Sequence, residues 1–305
     1  MKPPFRLKSS LAMRIVRNRH DNAVWFWQQR RVLRSMRRAF AAGTPISLDR
    51  QLVLEGGWPD PDDTRPVVFA ACDEGYFDRF GQHLALSSAA RSPGTRVHLH
   101  LYEPSAKCLA DADELIRRCG GGRLTVSREG PARNPFKRPT SFYFASGRFA
   151  VASRMRKQIK APILMIDADG LVANDLVEGF AGLSQMEAGF ILQPENTALY
   201  RKVLASAIYL GTTGPEVQEF FTRLADGIGL ALAMAGSYHV DQIGIHYALQ
   251  YCSTHDWCPR IEPLGLEWSD YCFDPNSLIW STKGARKDRY EELLAQVESG
   301  LGDLG

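Results

Sequence analysis

Short apolar runs separated by longer stretches of helical spacing dominate the pattern of this chain. Ile163–Ile166 (ILMI) is apolar throughout, follows Pro162 and ends on the turn-prone Asp167-Ala168-Asp169-Gly170. A run this short with no polar face reads as a strand covered on both sides, as inside a parallel sheet. Val67–Cys72 has the same character, Arg96–Tyr102 (RVHLHLY) alternates as a second strand, and Arg123–Ser127 reads as a third. Helices fall between them. Tyr76–Ala90 carries Phe77, Phe80, Leu84 and Ala85 at helical spacing, Ser105–Cys119 opens on Ser105 as a cap, and Ser141–Lys160 sets Phe142, Ala145, Phe149 and Ala152 on one face. This alternation predicts an α/β fold with a doubly wound, mostly parallel sheet flanked by helices. Beyond Asp175 it loosens: Val203–Leu210 reads as a strand, and Pro215–Ala233 and Asp241–Tyr251 as helices. An irregular aromatic region then leads to Ser277–Trp280 and a basic STKGARKDR.

The N-terminal part differs. Residues 10–40 thread Leu11, Ile15, Trp25, Phe26, Val32, Leu33, Met36 and Phe40 through basic positions, which fits two helices broken near Arg19–Asn22. Ala42–Pro66, rich in Gly, Pro and Asp, reads as a linker. The expected organisation is a basic helical arm and linker (1–65), a main domain (66–290) and a short tail (291–305). Charge sharpens this division. The net charge is only +3, yet residues 1–50 hold twelve Lys/Arg against two acidic side chains, leaving the remainder at −7. A basic helix carrying Trp and Phe suits an anionic membrane surface. The alternative is a helix packed on the main domain with its basic face in water. Nucleic acid is disfavoured, since no recognised reading module follows.

Six cysteines show no CxxC pair and no zinc-like spacing, so reduced thiols in a cytoplasm are expected. The longest uncharged stretch, Gly227–Val240, has fourteen residues, too short to cross a bilayer. The N-terminus lacks a signal peptide's apolar core. These features predict a cytoplasmic protein, at most peripheral at the inner face of the membrane.

Candidate chemistry centres on Asp167 and Asp169, just past the carboxyl end of the central strand, where open α/β sheets hold ligands. Two carboxylates one residue apart can hold Mg²⁺ or Mn²⁺, with phosphate oxygens and water completing the shell. The bland alternative is a solvated turn. The same residues also fit the nucleophile motif of haloacid-dehalogenase-type phosphatases, although that motif normally lies on the first strand of its domain and here three strand–helix units precede it.

Four segments together carry a resemblance: VVFAACDEGYF, SGRFAVASRM, LMIDADGLV and YHVDQIGIHYAL. In this order the chain, over roughly residues 66–290, resembles GT-A-fold glycosyltransferases, and among them family eight, retaining enzymes that use UDP-sugars, with bacterial relatives that build surface glycans. The resemblance implies transfer of a hexose from a UDP-sugar to a glycan or lipid-linked acceptor, with Mn²⁺ or Mg²⁺. Ala71, Asp73 and Tyr76 match the opening A-x-D-x-x-Y, with Asp73 and Tyr76 on the uracil. Arg148 would face the nucleotide sugar. Asp167 would contact ribose and metal, and Asp169 the metal. Asp241 and Gln242 would face the donor sugar as the catalytic pair, Gln242 under the anomeric carbon. The family's C-terminal H-x-x-G-x-x-K aligns with Ser281 to Lys287, so Gly284 and Lys287 match, with Lys287 on the diphosphate, while Ser281 replaces the histidine metal ligand. A hydroxyl is a much weaker ligand than imidazole. That departure leaves open a sugar-nucleotide-binding scaffold without catalysis. His239 and His246 flank the Asp-Gln pair, and neither is assigned to metal.

Overall fold

A computed structural model describes residues 27–47, 50, 52–129, 140–212, 214–235 and 239–299. Its centre is an eight-stranded sheet in the order β1-β4-β3-β2-β5-β8-β7-β9. The strands are β1 (Leu54–Gly56), β2 (Val67–Asp73), β3 (Arg96–Tyr102), β4 (Leu124–Glu129), β5 (Ile163–Ile166), β7 (Ala188–Leu192), β8 (Val203–Leu210) and β9 (Ile261–Pro263). A second, two-stranded sheet pairs β6 (Gly170–Val172) with β10 (Ile279–Ser281). The mixed α/β architecture with a largely parallel centre, β4-β3-β2-β5, is the expected one. The strands on either side of this centre run the other way: β8 is antiparallel to β5 and β1 to β4.

The all-apolar strands have a simple cause. Alternate residues point to opposite faces, and both faces are covered. Val67, Phe69, Ile163 and Met165 belong to a core shared with α5 (Thr140–Arg156), α7 (Pro215–Ala235) and α8 (Val240–Cys252). Val68, Ala70, Leu164 and Ile166 belong to a core beneath α3 (Gln82–Arg91), α4 (Ala106–Cys119) and α6 (Val177–Gly182). Between β2 and β5 the direction of winding reverses, so a crevice opens beyond their carboxyl ends. Asp73 and Asp167 stand there.

The first helix, α1 (residues 27–41), is part of this body. Val32, Met36, Ala39 and Phe40 are buried in the α5/α7/α8 core. A Cβ at Gly227 would collide with the Met36 sulfur, so α1 packs closely where a glycine leaves room. Arg223 donates to the carbonyls of Ala39, Phe40 and Ala42, which caps the carboxyl end of α1 with a cation. Arg30, Arg31, Arg34, Arg37 and Arg38 are exposed. For residues 27–41, then, the packed alternative holds, while residues 10–26 of the arm lie outside the described part. The linker reading of 42–66 gives way at Leu54–Gly56, which pairs with β4 as an edge strand. The tail gives way too: α9 (Tyr290–Ser299) buries Tyr290, Leu293, Leu294 and Val297 against Phe80 and Leu171.

One further expectation is corrected. Cys252 and Cys258 form a disulfide, their Cα atoms 5.3 Å apart, because the chain turns back at the end of α8 and returns to its last residue. Cys72, Cys108 and Cys119 are buried free thiols and Cys272 is exposed. Among the described residues no helix is long and apolar enough to cross a membrane.

Candidate functional site

Five short segments converge on the crevice, each for a local reason. β2 ends at Asp73, whose carboxylate accepts the Tyr76 amide at 2.9 Å and caps the helical turn α2 (Glu74–Tyr76). A π-helical turn, Phe77–Gly81, links α2 to α3. Tyr76 is left 42% exposed at the mouth of the crevice. β5 ends in a tight turn in which the Gly170 amide donates to the Asp167 carbonyl at 3.2 Å. This turn leaves Asp167 partly open and Asp169 buried.

From α5, the buried Arg148 reaches the same turn. It donates to Asp167 Oδ1 at 2.5 Å, to the Ile166 carbonyl at 3.3 Å and to the Ala205 carbonyl at 2.8 Å, and lies 3.8 Å from Asp241 Oδ2. Burial works against its charge, but Asp167 and Asp241 more than offset that and hold the guanidinium above its ordinary pKa. α8 supplies Asp241 and Gln242 at its amino end, where a carboxylate suits the helix dipole. Burial nonetheless raises the Asp241 carboxyl, opposed by Arg148.

The fifth segment follows β10. Gly284 takes φ +61°, a left-handed conformation that glycine adopts without strain, and a 3₁₀ turn (Gly284–Arg289) then carries Lys287 back over the crevice. Its ammonium lies 2.9 Å from Asp169 Oδ2, donates to Tyr76 Oη at 2.5 Å, and sits 4.3 Å from the Tyr76 ring centroid. Burial depresses the Lys287 ammonium, but Tyr76 and Asp169 raise it on balance. Asp169 is pushed up to about 6 by burial and by Asp167, with Lys287 pulling the other way.

Thus Tyr76, Lys287 and Asp169 form one linked group and Asp167, Arg148 and Asp241 a second beside it, and Gln242 joins the second because its backbone amide donates to Asp241 Oδ1 at 2.8 Å. Other residues named from the sequence stand apart. Ala71 lies within β2 and packs towards the α5/α7/α8 core. Gly284 serves the turn. The β6–β10 register places Ser281 opposite Gly170, beside the aspartates, but its hydroxyl is buried against Ser269 Oγ at 2.8 Å. His239, left unassigned in the sequence, is part of the site: it is left-handed at φ 69°, stacks on Tyr200 at 4.6 Å, and its Nδ1 donates to Gln242 Oε1 at 2.5 Å. Its place next to the Asp-Gln pair was the only sequence signal, and Tyr200 gave none.

The donor set does not match a preformed centre for Mn²⁺ or Mg²⁺. A hard divalent ion takes oxygen ligands from uncommitted carboxylates, water and phosphate. Here Asp167 is held by Arg148 and Asp169 by Lys287, the Ser281 hydroxyl is turned to Ser269, and among the described residues no three His, Cys, Asp or Glu side chains cluster as a metal site.

Solved structures of glycosyltransferases share this fold. One is WbbM, described as a bifunctional glycosyltransferase, at 12% identity, TM-score 0.54, covering 80% of this chain and 53% of its own. Another is apo GlyE of Streptococcus pneumoniae, at 12% identity, TM-score 0.51, covering 78% of this chain and 63% of its own. The chain therefore spans between about half and two thirds of the length of these proteins. At such identity the likeness establishes the fold alone. The sequence matches no family profile and no curated protein.

Proposed function

We propose that the chain is a glycosyltransferase that moves a hexose from a nucleotide sugar, with UDP as the carrier, to a glycan or lipid-linked acceptor with retention of anomeric configuration. The observation that carries this reading is the Tyr76–Lys287–Asp169 and Asp167–Arg148–Asp241 array at the winding reversal of a glycosyltransferase-type sheet. Breaking the bond to the anomeric carbon leaves a negative diphosphate and a cationic sugar. Lys287 meets the first charge electrostatically. The Asp241 carboxylate and the Gln242 side-chain carbonyl meet the second. Tyr76, exposed and beside Asp73, offers a ring for the base. Asp167, already bonded to Arg148, is poorly placed to act as a phosphatase nucleophile.

The five exposed arginines of α1 leave a cationic face towards solvent, which supports peripheral contact with an anionic membrane carrying the acceptor. Acceptor recognition fits the irregular region between Cys252 and Trp280.

Incubating the full chain with a panel of UDP-hexoses and following UDP release tests the reading. The expected result is release with at least one donor, reduced about 10²-fold or more in Gln242→Ala, since a group acting on the developing charge is worth that much in rate. Binding of a donor with no turnover, with or without glycan acceptors, would instead support the scaffold reading.

A further inference from the structure

Taking the crevice as a nucleotide-sugar site, as proposed above, we infer that Lys287, and not a divalent cation, supplies the positive charge that holds the donor's diphosphate. The commitments of the two aspartates point this way. Asp167 serves Arg148, which is buried and also anchored on the carbonyls of Ile166 and Ala205, so this carboxylate is the counter-ion of a fixed guanidinium. Asp169 serves Lys287, and the backbone reinforces that placement: the Thr282 amide and hydroxyl both donate to the Asp169 carbonyl, at 3.3 and 3.1 Å. The segment bearing Lys287 is therefore stitched to the same residue that its ammonium pairs with. A divalent cation on Asp169 would be set against that ammonium, which already sits on Oδ2.

Ser281 closes the remaining route to a metal. The strand register brings it beside Gly170, and its hydroxyl pairs with Ser269 inside a buried contact.

Lys287 has what the substituted role requires. An ammonium has three N–H donors. Tyr76 and Asp169 account for two, which leaves the third for a phosphate oxygen. The side chain is 20% exposed, enough for the ammonium to meet a ligand entering the crevice. The Gly284 turn and the Tyr76 and Phe80 rings fix its approach, with ring centroids 4.3 and 5.1 Å from Nζ.

The test is calorimetric titration of UDP into the full chain in excess EDTA and again in added Mn²⁺, with Lys287→Met alongside. The inference predicts that Kd for the unmodified chain is the same in both within about twofold, and that Lys287→Met weakens it by about tenfold or more in EDTA, the loss of one charge-assisted hydrogen bond. UDP binding that appears only with Mn²⁺ overturns the inference and leaves the nucleotide-sugar reading standing. UDP binding in neither condition overturns both. The EDTA comparison needs no variant, so it decides the question even if Lys287→Met does not fold.

Discussion

Two buried polar regions in this molecule resolve the same problem in opposite ways. In the crevice each ionisable group faces an opposite one, Arg148 against Asp167 and Lys287 against Asp169. Under β3 and β4 runs a second polar seam. His98 bonds Thr125 Oγ1 and Ser127 Oγ at 2.9 Å each, His100 shares Ser127 Oγ at 2.9 Å, and Glu129 accepts the Tyr143 hydroxyl at 2.8 Å. Among the described residues these groups are met by hydroxyls and by one another, His100 Nε2 lying 4.0 Å from Glu129 Oε2, and burial disfavours their charged forms. It lowers both imidazoles to about 3 and raises Glu129 to about 7. Charge survives burial where the fold supplies a counter-ion. Where the described partners are hydroxyls, burial shifts protonation instead. The region that pairs its charges is the one open to a ligand, which suits the diphosphate proposed for it.

Removing a counter-ion from the crevice has the greatest consequence. Arg148→Met leaves the buried Asp241 and the partly open Asp167 without their cation and should cost about 3–5 kcal/mol in urea denaturation. Adding Asp241→Asn to that variant should recover part of the loss.

A smaller effect separates the seam by pH. Glu129 has a folded pKa of about 7, raised by burial from 4.5, so its protonated form favours the fold. That contribution is full below about pH 4.5 and is lost as pH rises through 7. The histidines act oppositely: their contribution is full above 6.5 and is lost as pH falls towards 3. Glu129→Gln should therefore gain stability relative to the unmodified chain as pH rises from 4.5 to 7, by up to roughly 1.4 kcal/mol per pH unit. Urea midpoints at the two ends of that window check it. A difference that stays constant across the window would show that Glu129 is ionised in the fold.

The smallest expected change is Tyr76→Phe. Its hydroxyl is one of two Lys287 partners and lies at an exposed surface, so stability should move by less than about 1 kcal/mol. UDP binding should change only a few-fold, because the ring and the Asp169 partner remain.

The legible parts of the sequence were those in which burial imposes a pattern. Val67–Cys72 and Ile163–Ile166 could be read as doubly covered strands because both faces meet core. Their carboxyl ends then located Asp73 and Asp167. Strand direction leaves no such mark, so nothing in Val203–Leu210 announced that β8 runs antiparallel to β5. β1 is three residues in a Gly- and Pro-rich stretch, too short for any period. α1 did show its face, with Val32, Met36, Ala39 and Phe40 on one side of a helix, but an apolar face does not say whether lipid or core will cover it. The pairing of Cys252 with Cys258 depends on a turn at the end of α8, which spacing alone does not reveal. Within the site, Arg148 and Lys287 could be named only through the resemblance. Their partners are fixed by tertiary contacts 19 and 118 residues away in sequence, Asp167 and Asp169 respectively.

The most direct test of the nucleotide-sugar crevice is hydrogen–deuterium exchange of the full chain with and without saturating UDP. Protection is predicted at Asp73–Tyr76, at the Asp167–Gly170 turn and at Gly284–Lys287. Saturation by UDP with exchange unchanged in all three segments would place the nucleotide elsewhere and contradict the account.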